Sequence, residues 1–159
     1  MPIGARPSVI RLLPLALLLL GGCAGRFGGP KPRVNIEPGL SHDQLESRSL
    51  TNLAILAMAL DDYKKREGKV PEDLKALAPR YLAELPVVAL GIPGHPITSE
   101  VEPYPAEIFQ DGEVQASRLR DTGRWAYVRS AQGNDAVVFI DCTHFNSRAK
   151  AWHKEKGVL

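Results

Sequence analysis

The chain has 159 residues, 44% of them hydrophobic and 24% charged, which leaves room for one domain and excludes a mainly disordered chain. Two of its 20 basic residues, Arg6 and Arg11, lie in residues 1–22, which hold no acid, so the remaining 18 face 18 acidic residues. A balance so close to neutral offers no clustered positive charge to neutralise phosphates, and nucleic acid is excluded as a partner class.

The chain opens on a targeting pattern. Arg6 and Arg11 give a positive start, and Leu12 to Leu20 form an apolar run too short to span a bilayer as a stable helix. Gly21 and Gly22 follow, then Cys23. The string Leu20-Gly21-Gly22-Cys23 resembles the lipobox of bacterial lipoproteins, in which a diacylglycerol is placed on the cysteine thiol and the chain is cleaved just before it. That resemblance implies a signal peptide over 1–22, lipid attachment at Cys23 and a membrane as partner through the N-terminal lipid. Several acyl chains, at about 0.8 kcal/mol per buried methylene, make a durable anchor. Ala24, and not Asp, follows the cysteine. By the same resemblance this points to the cell envelope, at the outer membrane facing the periplasm. With Cys23 acylated, Cys142 has no partner for an intramolecular disulfide and reads as a small buried hydrophobe.

Residues 23–40 read as the acylated cysteine and a tether, with Gly25, Gly28, Gly29, Pro30, Pro32, Pro38 and Gly39 and few apolar residues. Such a stretch spans about 20 Å as a coil and up to roughly 50 Å extended. The domain is expected over 41–159. Ser41 and Gln44 form a capping box, with Leu40 placed to staple onto Leu45. Leu45, Leu53, Leu56, Ala57, Leu60 and Tyr63 recur at helical spacing, and Gly68 is a natural stop, so a helix is predicted over about 42–67. Its polar end, Lys64-Lys65-Arg66, reads as solvated and favourable with the helix dipole. Pro71 is expected to open a short second helix running to about Ala78, with Leu74 and Leu77 on one side and Tyr81, Leu82 and Leu85 continuing the apolar surface. From Pro86 to Gly123 five prolines predict irregular chain, with a weak hairpin around Ile108-Phe109, Asp111-Gly112 and Val114. Trp125 to Arg129 and Ala136 to Phe145 are predicted strands joined through Gln132-Gly133-Asn134-Asp135 as an antiparallel hairpin. A last exposed segment carries Lys150, Trp152 and His153.

These residues carry a second resemblance. A helix ends in Tyr63-Lys64-Lys65-Arg66-Glu67-Gly68-Lys69-Val70-Pro71, and Leu74, Leu77, Pro79, Tyr81-Leu82 and Leu85-Pro86 follow. Later come Gly123-Arg124-Trp125-Ala126-Tyr127-Val128 and the strand Val137 to Cys142. Over about Leu50 to Trp152 this resembles the globular part of type II secretion pseudopilins and related type IV pilin-like proteins. The resemblance implies an α+β fold in which a long N-terminal helix packs on a small antiparallel sheet. The lipobox stands where pseudopilins carry a prepilin-peptidase site, and the helix starts polar, at His42, Asp43, Gln44, Glu46 and Arg48. Together these features imply a pilin-like domain carried on lipid and not packed in a filament. The expected function is a structural or interaction component of the cell envelope, in the setting of a secretion or pilus-like system, with protein partners met through the segment Gly91 to Arg120. The rival reading is an envelope enzyme, or a small-ligand or calcium-binding lipoprotein.

The residues able to carry chemistry favour the non-enzymatic reading. Some pseudopilins bind calcium before the final hairpin, and Glu100, Glu102, Glu107, Asp111, Glu113 and Asp121 lie there; calcium needs six to eight converging oxygens, and these acids read as a solvated loop. Cys142 and His144 sit two apart on a predicted strand and could join His153 around a metal, but zinc wants three or four converging nitrogen or sulfur donors. As a nucleophilic pair their Cα atoms would lie about 7 Å apart. The expectation is Cys142 inward beside Val138 and Ile140, with His144 near the sheet edge. Asp141 is expected to pair with Arg124, Arg129 or Arg148. Trp125 and Tyr127 are expected in a core facing the first helix. No phosphate loop, dinucleotide fingerprint or hydrolase motif occurs. No catalytic residue, metal or cofactor is assigned, and the one assigned site is Cys23.

Overall fold

A computed structural model describes residues 39–158. The signal-peptide reading of 1–22, the acylation of Cys23 and nearly all of the tether lie outside the described residues. Among those described, no helix is long and apolar enough to cross a membrane.

The first helix, α1 (His42–Glu67), has the expected bounds. Ser41 caps it in extended geometry, its side chain accepting the Gln44 amide while the Gln44 side chain accepts the Ser41 amide at 2.8 Å. Gly68 stops it in the left-handed region at φ 71°, where an L side chain is strained. Leu53, Leu56, Ala59 and Leu60 bury one side. The polar start is not wholly solvated: Glu46 is buried, and its carboxylate accepts the amide and hydroxyl of Ser147 at 2.8 and 2.6 Å. At the other end Lys64 meets Asp135 at 2.7 Å and Lys65 pairs with Asp61.

The expected second helix is shorter than Pro71 suggests. A single 3₁₀ turn, Leu74–Leu77, is capped by Asp73, whose carboxylate accepts the Lys75 amide at 2.9 Å. The Pro71 carbonyl accepts the Tyr127 hydroxyl at 2.7 Å. Leu74 and Leu77, three apart, fall on the same side of the turn and are both fully buried.

The stretch predicted as irregular, Pro86 to Gly123, holds two pieces of sheet. A first strand, β1 (Val101–Tyr104), joins the main sheet, and β2 (Phe109–Gln110) and β3 (Glu113–Val114) form the small hairpin that the Asp111-Gly112 turn signals. The strand β4 (Trp125–Arg129) is as expected, and β5 (Ala136–Ile140) ends five residues before the predicted Phe145. The last segment is only partly exposed: Lys150 is open to solvent as expected, but the two residues after Ala151 are not. Trp152 and His153 are buried in a 3₁₀ turn, Trp152–Lys154, and β6 (Lys156–Val158) closes the sheet.

The main sheet runs β1-β4-β5-β6 and is mixed, which corrects the expectation of an antiparallel sheet. β4 pairs antiparallel with β5 and β5 with β6, but β1 runs parallel to β4, with Val101 opposite Trp125 and Tyr104 opposite Val128. The fold class is α+β, with α1 packed on this sheet.

Both faces of β4 and β5 are covered, so these strands read as continuous apolar runs with no alternation. Trp125, Tyr127, Val138 and Ile140 face the α1 residues Leu53, Leu56 and Leu60, as expected of the two aromatics. Ala126, Val128 and Phe139 form a second cluster with Tyr104, Ile108 and Val114. The register explains the division, since Trp125 lies opposite Ile140 and Ala126 opposite Phe139. Buried polar bonds tie the layers. Trp125 Nε1 donates to the Pro86 carbonyl at 2.7 Å, Asn52 Nδ2 to Val87 at 2.7 Å and Ser49 Oγ to Ala89 at 2.8 Å.

Candidate functional site

At the end of β5 the chain turns sharply, and there four chemically capable side chains converge. Asp141 follows the last residue of the strand, and the Cys142 amide donates back to the Ile140 carbonyl at 2.8 Å. That bond ends the strand before Cys142, so Cys142 and His144 do not share a strand face. They nevertheless meet: Cys142 Sγ lies 3.5 Å from His144 Nδ1. The turn brings together two side chains that an extended strand would hold apart.

Two further residues arrive from distant segments. His95 sits in a turn closed by its amide on the Ile92 carbonyl at 3.1 Å, and its Nε2 lies 3.4 Å from Cys142 Sγ. Asp121, just before β4, places Oδ1 3.7 Å from His95 Nε2 and Oδ2 3.7 Å from His144 Nδ1. The two imidazoles stand edge to face with centroids 5.2 Å apart. The four donor atoms all lie within 4.8 Å of one another. Cys142 is fully buried and the His95 side chain is 6% exposed, while those of Asp121 and His144 are 34% and 50% exposed, so the cluster lies just beneath the surface. His153, considered with Cys142 and His144 on sequence grounds, is not among the four. It holds the Cys142 carbonyl at 3.1 Å through its amide and stands 3.1 Å from it with Nδ1.

Asp141 builds the cluster without joining it. It is buried and makes no ion pair among the described residues, contrary to the expected bridge to Arg124, Arg129 or Arg148. Its carboxylate accepts the Asp121 amide at 3.2 Å, the Thr122 amide at 3.2 Å and the Thr122 hydroxyl at 2.7 Å. Its own amide donates to Arg124 at 2.9 Å and its carbonyl accepts from Gly123 at 2.8 Å. Turn amides satisfy the buried carboxyl without dehydrating a guanidinium, and the arginines pair elsewhere: Arg124 with Glu100 and Glu102, Arg148 with Glu155, Arg129 with Glu72. Nearby, the Tyr104 hydroxyl accepts the Arg120 amide at 2.9 Å, and burial, reinforced by Asp141, pushes it up to about 12.

Two backbone features allow the close approach. Asp121 adopts φ 57° and Gly123 φ 70°. A Cβ on Gly123 would stand 2.6 Å from His95 Cβ, so only glycine lets this loop lie against the histidine. The carboxyl of Asp121 ends up below the ordinary carboxylate range. Desolvation, the largest single influence, acts the other way, but it is overcome by hydrogen bonds from Thr143, with an amide at 2.7 Å, and by the two imidazoles.

The arrangement makes a poor nucleophile. Burial pushes the Cys142 thiol up to about 12, with Asp121 and Asp141 adding to the rise against a hydrogen bond from the His144 backbone, whereas a reactive cysteine needs a lowered value and access. As a donor set it is well composed, with one sulfur, two imidazole nitrogens and one carboxylate oxygen, the ligands of a borderline-soft divalent cation. Of the acids weighed for calcium, Asp121 alone enters this cluster. Glu100 and Glu102 pair with arginines, and Glu113 pairs with Lys156 at 3.3 Å.

Sequence reasoning reached Cys142 and His144 but not His95, which lies 47 residues before Cys142, nor Asp121 in this role. The available signal was a histidine set between Pro93 and Pro96 in a Gly-rich turn. Comparison of the chain with protein-family models, with curated proteins and with solved structures finds no match.

Proposed function

We propose that this chain is a lipid-anchored envelope protein whose globular part is a pseudopilin-like domain, acting as a structural or interaction component, in a secretion or pilus-like setting, and not as an enzyme. The observation that carries the reading is Leu20-Gly21-Gly22-Cys23 behind a basic start and a short apolar run. The α+β fold supports it at that level: a long capped helix with a Gly68 stop and a short 3₁₀ turn precede the β4–β5 hairpin, which packs on that helix within a mixed sheet. The deeply buried Cys142, with its thiol raised, speaks against a cysteine nucleophile as the alternative.

The test is chemical. The native chain and its Cys23→Ser variant are expressed in a Gram-negative host and compared by intact mass and membrane fractionation. The native chain is expected to lose residues 1–22, gain the mass of a diacylglycerol and an acyl chain, and sediment with membranes, whereas the variant does neither. A native chain without acyl mass, found in the soluble fraction like the variant, overturns the reading.

A further inference from the structure

We propose that His95, Asp121, Cys142 and His144 bind one zinc ion in a closed, four-coordinate site that locks three chain segments together. The inference does not rest on the lipid anchor, and it replaces the sequence expectation that the domain holds no metal.

Distances carry the argument. Zinc binds thiolate at about 2.3 Å, imidazole nitrogen at about 2.0–2.1 Å and carboxylate oxygen at about 2.0–2.2 Å. At tetrahedral angles these bond lengths require donor–donor separations of roughly 3.3–3.6 Å. The structure gives 3.4 Å for Cys142 Sγ to His95 Nε2, 3.5 Å for Sγ to His144 Nδ1, and 3.7 Å for each imidazole nitrogen to its Asp121 oxygen. Oδ1 faces His95 and Oδ2 faces His144, so with either oxygen as the fourth ligand three edges of the tetrahedron are in place to within a few tenths of an ångström, and the four donor atoms all lie within 4.8 Å of one another.

Ligand chemistry selects the ion. A sulfur with two imidazoles disfavours calcium and magnesium, which take oxygen, and suits zinc. One thiolate and one carboxylate balance the dication, so the bound site is neutral; binding releases the Cys142 proton to solvent. The supports that a metal site needs around its ligands are present. The Thr143 amide fixes Asp121 Oδ1 at 2.7 Å, Asp141 holds the 121–122 turn, and His153 holds the Cys142 carbonyl. All four positions are filled by protein, which marks a structural site and leaves no open position for substrate. The consequence is mechanical: the lead into β4 and the exit from β5 are already joined by several hydrogen bonds around Asp121 and Asp141, and the ion would tie the His95 turn to both at one point.

The experiment uses the full chain purified in detergent, stripped with a chelator and titrated with zinc and then with cobalt(II) as a spectroscopic stand-in. Expected are one zinc per chain, and for cobalt the intense visible bands of a tetrahedral ion with a thiolate charge-transfer band in the near ultraviolet. Cys142→Ser should abolish the charge-transfer band. His144→Ala, at a half-exposed position where folding is least disturbed, should weaken zinc binding at least about 100-fold. His42→Ala, outside the cluster, should change nothing. Should Cys142→Ser fail to fold, as judged by circular dichroism, the wild-type and His144→Ala spectra still decide. Zinc far below one equivalent in the saturated wild type, a weak octahedral cobalt spectrum, or affinity unchanged by His144→Ala overturns the proposal.

Discussion

Asp141 Oδ2 accepts the Thr122 hydroxyl at 2.7 Å, and through that bond the end of one strand fixes the loop that feeds its neighbour. The same carboxylate takes two amides of that loop, so it acts as a hub with three donors converging on it. Asp141→Asn keeps the shape but turns an NH₂ group toward one of those donors. Unfolding in urea should show a loss of about 1–3 kcal/mol, the cost of a buried donor left unmatched. Calorimetric zinc titration of the same variant should show affinity lower by about 10–100-fold, as for other groups that orient metal ligands. Unchanged stability would show that the hub is not needed.

Two of the left-handed glycines, Gly68 and Gly123, separate backbone strain from steric contact. Gly68 has φ 71° with nothing within 4 Å of an added Cβ, whereas Gly123 has φ 70° and His95 at 2.6 Å. Gly68→Ala should therefore cost about 1 kcal/mol, the left-handed penalty alone. Gly123→Ala should cost at least about 2 kcal/mol, because the ring of His95 must also move. Equal losses in chemical denaturation would show that the His95 turn yields without resistance.

Glu155 predicts how the C-terminal segment responds to acid. Burial, its largest influence, opposes the charge, but Lys150 at 2.9 Å, Asn146 at 2.9 Å and Arg148 together hold the carboxyl below its ordinary value. A lowered value in the folded state means that its contribution is complete above the ordinary 4.5 and is lost as pH falls through the lower folded value. Stability measured from about pH 6 down to about pH 3 should fall more steeply for the wild type than for Glu155→Gln. Parallel curves would show that this cluster adds no acid sensitivity.

The segment Gly91 to Arg120, expected from its prolines to be an exposed irregular partner loop, is largely exposed but also forms a structural layer. It supplies β1 to the sheet and Tyr104, Ile108 and Val114 to the second core, and it carries His95. Replacing residues 91–120 with a short turn should unfold the domain, with loss of near-ultraviolet dichroism, since it uncovers Ala126, Val128 and Phe139. A deletion that keeps a cooperative melt would restore the segment to the status of a loop.

How much of this was legible follows from the range of the forces. Ser41, Gln44 and Gly68 place α1 because capping is decided between residues three or four apart. The hairpin over 125–140 is legible for the same reason, although its end was misplaced: Asp141 and Cys142 continue an apolar run, and only the turn bond to Ile140 shows where pairing stops. The short β1 was hidden because Pro103 lies inside it, and proline argues against a central strand; β1 is an edge strand, where a missing amide is tolerated. Trp152 and His153 looked exposed because no local pattern tells a buried 3₁₀ turn from a polar tail.

The sequence by itself determined the capped helix, its glycine stop, the terminal hairpin and the direction of Trp125 and Tyr127, and it alone supports the reading of the leader and Cys23. Only the tertiary structure decided the parallel pairing of β1 with β4, the covering of the second sheet face, and the meeting of His95 and Asp121 with Cys142 and His144. The first set depends on contacts between near neighbours, which spacing records. The second depends on closing long loops, where the chain's path through the core selects the partners and no spacing encodes them.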